Sequence, residues 1–177
     1  EFLKTVADGE IQVTGRTLDD KRWTVAYLMD NGPIRFYIYD REPKKATYLF
    51  SNNRELEKLP LVKMHPVVIK SRDGLDLVSY LSLPKWADPD GDGVPNEALP
   101  LVLNVHGGPW SRDDWGYDPE HQLLANRGYA VLSVNYRGST GFGKNFINAA
   151  NKEWAGKMHD DLIDAVNWAV EKKIVKK

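Results

Sequence analysis

The hydrophobic and polar positions of this chain form two successive patterns. Up to about residue 50, short runs of β-branched and aromatic residues alternate with turn-forming Asp, Asn, Gly and Pro. This alternation is typical of antiparallel strands, which we predict at 11–14, 23–29, 34–39 and 46–50. Four short strands at this spacing fit one blade of a β-propeller, although a meander from a β-sandwich would give the same pattern.

The pattern changes after a charged, turn-rich stretch at 52–60. Runs at 64–70 and 75–83 predict a hairpin that turns at Asp73-Gly74. From residue 100 onward, predicted strands at 101–105 and 129–135 alternate with helices, which is α/β organisation. We therefore predict an α/β protein with one domain at 1–60 and a second at 61–177.

Two helices are predicted in the second domain, and a shorter helical stretch at 146–150 lies between them. The first begins at Pro119 and ends before Gly128, as is typical of Pro at the first helical position and Gly beyond the last. The second is amphipathic, and its apolar positions predict core packing rather than a cofactor site. These positions are Met158, Leu162, Ala165, Val166, Ala169 and Val170.

A glycine-rich turn follows the strand predicted at 101–105. It reads His106-Gly107-Gly108-Pro109-Trp110. Adjacent residues without Cβ let main-chain N–H groups approach a developing negative charge, so the turn predicts the oxyanion site of an acyl-transfer hydrolase. The donor is either the His106 ring or the backbone around Gly107. The alternative for His106 is a strand-end histidine that hydrogen-bonds the neighbouring loops.

The sequence contains no Gly-x-Ser-x-Gly nucleophile elbow. The nearest approximation, at 137–141, has Arg137 where the elbow needs a small residue, so Ser139 is interpreted as part of a Gly/Ser-rich loop. We assign Arg137 and Trp110 to the loop on the substrate side. Arg137 is expected to brace this loop by pairing with a carboxylate, because a guanidinium holds two acceptors at once.

Asp88, Asp90 and Asp92 alternate ahead of Gly93, which matches the start of a calcium-binding loop. The twelfth loop position is Leu99 instead of a bidentate Glu. The two interpretations are a calcium site and an acidic surface loop. We predict no other cofactor.

Composition excludes several classes. The net charge is −1 without a sustained basic face, which argues against nucleic acid as a partner. No apolar run is long enough for a bilayer, so we expect a soluble chain. The absence of cysteine favours neither an oxidising nor a reducing compartment, and localisation stays open. Of the remaining histidines, we expect His65 to pack at a hinge and His121 and His159 to be solvated.

Four stretches together resemble the prolyl oligopeptidase family of serine peptidases, in its acylaminoacyl-peptidase and dipeptidyl-peptidase-like branch. They are residues 63–75, the turn at 105–110, the segment Asn135-Tyr136-Arg137-Gly138-Ser139-Thr140-Gly141-Phe142-Gly143 and the helix at 161–168. The resemblance implies an α/β-hydrolase domain preceded by the last blade of a β-propeller. It also implies cleavage of short peptides by a Ser, Asp and His triad without a cofactor.

The resemblance further implies that the chain is a fragment that ends before the nucleophile elbow, lacks the triad and is inactive alone. The hydrolase sheet normally continues beside the strand at 101–105, so an open edge and self-association are expected. Two other functions stay open: an esterase of the same fold, and a non-catalytic module that binds calcium or a partner.

Overall fold

The alternating segments of the first sixty residues form a four-stranded sheet in the computed structural model, which describes residues 1–176. The strands are β1 (Glu10–Arg16), β2 (Arg22–Leu28), β3 (Arg35–Asp40) and β4 (Lys45–Ser51), flanked by 3-10 turns at Phe2–Thr5 and Leu56–Lys58. Each strand pairs antiparallel with the next, in the order β1-β2-β3-β4. The four predicted strands are confirmed.

Aromatic pairs across these strands form much of the packing. The rings of Phe36 and Phe50 stack with their centroids 4.8 Å apart, and Tyr27 meets Tyr37 edge to face at 5.1 Å. Val25 and Tyr27 are fully buried. These aromatic residues contact one another because cross-strand neighbours on one face of a sheet are close enough for ring contacts.

The contacts of the chain divide it into two units. Glu1–Leu61 forms one unit together with Gly116–Asp118, and Val62–Trp115 forms the other together with the residues from Pro119 onward. Lys177, the last residue of the second predicted domain, lies outside the described residues.

The second unit consists of one mixed sheet with helices packed against it. Its elements are β5 (Met64–Lys70), β6 (Asp76–Ser82), β7 (Leu101–Asn104), α1 (Pro119–Ala125), β8 (Ala130–Val134), α2 (Lys144–Asn148) and α3 (Lys157–Glu171). The strand order is β5-β6-β8-β7, in which only the β7–β8 pair is parallel. Within residues 1–176, β7 therefore lies at an edge of the sheet.

The core of this unit lies between the sheet and α3. Leu77, Leu132 and Val134 are fully buried in the sheet, and Ala165 and Ala169 are fully buried on the facing side of α3. The apolar face predicted for the last helix is confirmed, since positions spaced by three and four residues share one side of a helix. No helix among residues 1–176 is both long and apolar enough to cross a membrane.

His121 is buried, and the prediction that it is solvated is wrong. Its imidazole is 1 % exposed and lies between two strands, with Nδ1 3.0 Å from Ser82 Oγ and Nε2 2.8 Å from Ser133 Oγ. The seven residues of α1 make only about two turns, which is too short for periodicity to identify the inward face. His159 is exposed as predicted.

Candidate active site

The glycine-rich turn lies directly after the parallel strand β7. Gly107 and Gly108 are exposed, and no acceptor among residues 1–176 takes the amide hydrogen of either. Gly108 has φ +134°, and a Cβ there would lie 2.7 Å from the Trp110 nitrogen, so this position requires glycine. Trp110 is 70 % exposed beside the turn. The turn therefore offers two main-chain donors to solvent.

Both ring nitrogens of His106 have partners inside the chain. Nδ1 lies 2.8 Å from the Gly107 carbonyl oxygen, and Nε2 lies 2.9 Å from Ser139 Oγ. Because both nitrogens are engaged, the ring offers no spare N–H to a bound oxyanion. Of the two donors considered for this turn, the geometry favours the backbone.

Tyr136, in the turn after β8, holds the same histidine. Its hydroxyl donates to the His106 carbonyl oxygen at 3.0 Å, and the two rings stack at a centroid distance of 4.7 Å. Burial, followed by the charge of Asp113, raises the pKa of Tyr136 above its usual value. The hydroxyl therefore stays protonated and remains a donor.

The pair formed by Ser139 and His106 has the distance of a nucleophile and its general base. The Ser139 hydroxyl nevertheless donates to the Tyr136 carbonyl oxygen at 2.7 Å, and the residue is completely buried. Because that hydroxyl has one hydrogen and the Gly107 carbonyl oxygen can only accept, the two contacts of the ring are both hydrogen bonds only when His106 carries a hydrogen on each nitrogen. A substrate carbonyl has no access to this serine. The contacts favour the interpretation of Ser139 as a structural loop residue.

Arg137 is buried between two carboxylates. Its Nε and Nη2 donate to Asp161 at 2.8 and 2.7 Å, and its Nη1 and Nη2 donate to Asp73 at 2.9 and 2.7 Å. Its main-chain N–H also donates to Asp161, at 2.9 Å. The expected brace is therefore present. With 3 % exposure and all three of its donor nitrogens hydrogen-bonded, Arg137 lies in the interior, whereas Trp110 is exposed.

These hydrogen bonds shift the pKa values of the partners. The hydrogen bonds that Arg137 donates to Asp161 and then to Asp73 raise the pKa of Arg137 above its usual value. In return, Arg137 and then Ser71 hold the pKa of Asp73 well below its usual range. Arg137 and Asp73 are therefore both charged at neutral pH.

Gly138 brings the two turns close together. It has φ +97°, and a Cβ would lie 2.8 Å from Ala150 Cβ and 3.2 Å from Pro109 Cβ. Beyond it, the Thr140 N–H donates to the Ser111 carbonyl oxygen at 2.9 Å. The turn at 136–140 thus packs directly along the loop at 106–111.

An open pocket of about 310 Å³ adjoins the end of β7. Val105, Tyr136, Met158 and Leu162 line it with apolar surface, and Trp154, which is 80 % exposed, stands at its side. The pocket therefore lies next to the residues that hold His106.

The sequence reasoning missed Asp73, Asp161 and Tyr136 as parts of this site. Asp161 carries a usable signal, because it lies three residues after Met158 and four before Ala165, on the apolar face of α3. A carboxylate on a buried face requires a cation, and Arg137 is the matching charge. The hydroxyl contact of Tyr136 has no counterpart in the sequence pattern.

The carboxylates of Asp88, Asp90 and Asp92 converge, with one oxygen of each within 4.8 Å of the others. The Asp88 carboxylate accepts the main-chain N–H groups of Asp92 and Gly93 at 3.0 and 3.2 Å. It also lies 3.1 Å from His65 Nε2. Asp88 thus closes the loop through hydrogen bonds, and calcium binding stays a prediction.

Comparison with known proteins supplies the context for this geometry. The sequence model of the prolyl oligopeptidase family matches residues 115–177. Dipeptidyl aminopeptidase BIII of Pseudoxanthomonas mexicana is 58 % identical over 174 residues, which cover 98 % of this chain and 25 % of that protein. Dipeptidyl peptidase family member 6 of Caenorhabditis elegans is 41 % identical over 180 residues, which cover 94 % and 24 %. The chain spans about a quarter of these relatives.

Among solved structures, the acylaminoacyl peptidase of Pyrococcus horikoshii is similar with a TM-score of 0.69 and 23 % identity. The match covers 96 % of this chain and 26 % of that structure. At this identity the likeness establishes the fold alone.

Proposed function

This chain belongs to the prolyl oligopeptidase family of serine peptidases, and we propose that its turn at 106–108 binds the oxyanion in a site that cleaves short peptides. Residues 1–60 are then the last blade of a β-propeller, and 61–177 are the N-terminal portion of the α/β-hydrolase domain. The serine, aspartate and histidine of the triad are supplied by other residues of the full-length protein, so the 177 residues alone are inactive. The names of the relatives favour release of dipeptides from the N-terminus of a peptide.

The observation that carries this proposal is the pair of exposed amides at Gly107 and Gly108. Attack on a peptide carbonyl places negative charge on its oxygen. Preorganised N–H donors stabilise that charge most when they are not already hydrogen-bonded to other acceptors. Both amides meet this condition among the described residues, and they lie at the carboxyl end of a parallel strand. Ligand sites of open α/β sheets lie at this end of the strands.

The test uses the full-length protein that contains this sequence. We expect a fluorophosphonate to label a serine outside residues 1–177, and we expect hydrolysis of dipeptidyl p-nitroanilides. Hydrolysis of p-nitrophenyl esters without amide hydrolysis would favour the esterase alternative. Absence of label and of hydrolysis would favour the non-catalytic module, and label on Ser139 would contradict the structural role of that residue.

Two adjacent variants test the turn itself. Gly108→Ala places a Cβ 2.7 Å from the Trp110 nitrogen at a positive φ, whereas a Cβ at Gly107 meets no atom within 4 Å. We expect Gly108→Ala to lower kcat by about 10²–10³-fold, as loss of an oxyanion donor does, and Gly107→Ala to change it little. Equal kcat values for both variants and the wild type would contradict an oxyanion role for this turn.

A further inference from the structure

We infer that Tyr136 and Ser139 are positioning residues that aim the two amides of the oxyanion turn, each through a different peptide plane. The inference rests on the proposed function of the turn and adds the residues that set its donor geometry. Neither residue contacts the reacting atoms in this scheme. Both act through His106.

The first peptide plane joins His106 to Gly107. A peptide unit is planar and trans, so its C=O and N–H point in opposite directions, and fixing the carbonyl fixes the amide. The Tyr136 hydroxyl donates to the His106 carbonyl oxygen at 3.0 Å from a buried side chain. This hydrogen bond therefore sets the direction of the Gly107 N–H.

The second plane joins Gly107 to Gly108. Its carbonyl oxygen lies 2.8 Å from His106 Nδ1, so the imidazole holds the plane that carries the Gly108 N–H. The ring is itself fixed by Ser139 Oγ, 2.9 Å from Nε2, and by stacking on Tyr136. Ser139 thus influences the direction of the Gly108 N–H through the imidazole of His106.

The segment that carries both positioning residues is itself held by buried contacts. Arg137, between them, is held by Asp161 and Asp73 through four side-chain contacts of 2.7 to 2.9 Å. The Ser139 hydroxyl also donates to the Tyr136 carbonyl oxygen, which closes the turn on itself. Glycine has no side chain that could fix the orientation of its peptide planes. The geometry of the turn at 107–108 therefore depends on contacts with the turn at 136–139.

The experiment measures kcat and KM in the full-length protein for Ser139→Ala and Tyr136→Phe. Each has a matched control that loses a buried hydroxyl bound to a main-chain carbonyl elsewhere: Ser79→Ala, which contacts Leu77 O, and Tyr27→Phe, which contacts Leu3 O. We expect kcat to fall about 10- to 100-fold in each test variant, as small misplacements of catalytic groups do, with KM within about twofold. The controls should keep wild-type kcat.

A peptidyl boronate supplies a second readout, because it forms a tetrahedral adduct in the same site. Its affinity should fall by the same factor as kcat in Ser139→Ala and Tyr136→Phe, since both amides act on the tetrahedral oxygen. Unchanged kcat and boronate affinity in folded variants would overturn the inference. A rise in KM at constant kcat would also overturn it, because that result indicates a role in substrate binding alone.

A spectroscopic readout separates this inference from the proposed function. In protein labelled with ¹⁵N-histidine, the His106 signals are assigned by their loss in His106→Phe. Ser139→Ala should shift the Nε2 resonance, whereas Ser79→Ala should not. If the wild type hydrolyses no peptide, the proposed function fails. An unchanged Nε2 resonance in Ser139→Ala refutes the positioning of His106 by Ser139, whether or not the protein is active.

Discussion

Arg137 is a buried cation in the second unit and is paired with two carboxylates. It is 3 % exposed, and its Asp161 partner is fully buried. Removing one member of such a group leaves an uncompensated charge in the interior, which costs far more than the net value of the pair. Lysine would not substitute, because a single ammonium cannot hold two carboxylates in the bidentate geometry of a guanidinium.

We predict that Arg137→Met lowers local stability by about 3–5 kcal/mol. Hydrogen exchange of residues 130–140 in the full-length protein measures this, since amide exchange reports the free energy of local opening. Arg72→Met is the matched control: Arg72 pairs with Asp160 and Asp164 at the surface, with half of its side chain exposed. Exchange in Arg72→Met should stay near that of the wild type, and equal effects of the two variants would contradict the interior role of Arg137.

The low pKa of Asp73 predicts a direction for the pH dependence. An unfolded aspartate binds its proton near pH 4, whereas folded Asp73 keeps its charge to lower pH because Arg137 and Ser71 bond to it. The unfolded state therefore takes up the proton first as the pH falls, and stability is lost below about pH 4.

Asp73→Asn should make stability below about pH 4 depend less on pH, although the variant is less stable at neutral pH. Urea midpoints followed by tryptophan fluorescence between pH 2 and pH 7 measure both effects. Asp76→Asn serves as the control, because Asp76 is exposed and pairs with the exposed Lys70. A pH profile of Asp73→Asn that runs parallel to the wild type would refute the assignment.

Residue chemistry was predictable where the sequence itself limits the options. Adjacent glycines after a buried strand identify the turn at 107–108, and the Arg in place of a small residue before Gly138 argues against an elbow at Ser139. The partners of Arg137 were not predictable, because Asp73 and Asp161 are 64 and 24 residues away in sequence. The buried contacts of His121 were missed for the same reason.

At the scale of elements, periodicity and helix-end residues predicted each strand and α-helix that residues 1–176 form, with boundaries that differ by about one or two residues from the structure. The strand predicted at 129–135, for example, is β8 at Ala130–Val134. The neighbours in the sheet were not predictable, because an apolar run of five residues fits any interior position. The placement of β8 between β6 and β7 brings the turn at 136–140 against the turn at 106–111.

This contact between turns gives a prediction at Gly138. A Cβ there meets Ala150 and Pro109 at 2.8 and 3.2 Å, whereas Gly74, at a similar positive φ, has open space around its Cβ position. Gly138→Ala should cost about 1–3 kcal/mol more than Gly74→Ala, because it adds overpacking to the backbone strain that both share. Thermal denaturation of the full-length variants measures the difference, and equal midpoints would indicate that the turns separate without cost.

The acidic loop gives a prediction of its own. The Asp88 carboxylate already accepts two loop amides, so we expect the acidic-loop interpretation to hold, with no heat in a calorimetric titration with millimolar calcium. Asp88→Asn should lower the thermal midpoint with or without calcium, whereas Asp90→Asn, at an exposed position, should not. Heat that disappears in Asp90→Asn would instead establish the calcium site.

At the scale of the whole molecule, the candidate site draws on segments far apart in sequence. The hairpin at 71–74, the turn at 106–108, the turn at 136–140 and α3 all contribute to it. Each of these contacts lies within the second unit, so the proposed oxyanion turn is formed by the fold of that unit. The geometry of two glycine amides therefore depends on residues from its first hairpin to its last helix.

The open edge of the second sheet predicts how the 177-residue chain behaves alone. Within residues 1–176, β7 pairs with β8 on one side and with no strand on the other, and the isolated bridge between Leu99 and Val175 lies just before β7 in the chain. Unpaired main-chain groups beside an apolar residue, Val105, which is 41 % exposed, favour pairing with another copy. We expect light scattering to show a mass that rises with concentration from the micromolar range upward.

Two substitutions of equal charge test where this association occurs. Val105→Lys places a charge at the end of the open edge, and Val94→Lys places the same charge in the acidic loop, where the residue is 64 % exposed. Lysine at an edge opposes strand pairing, so Val105→Lys should shift the association midpoint several-fold to higher concentration while Val94→Lys leaves it in place. A wild-type chain that stays monomeric and unfolds cooperatively would show that the edge is protected, and an equal shift in both variants would assign association to another surface.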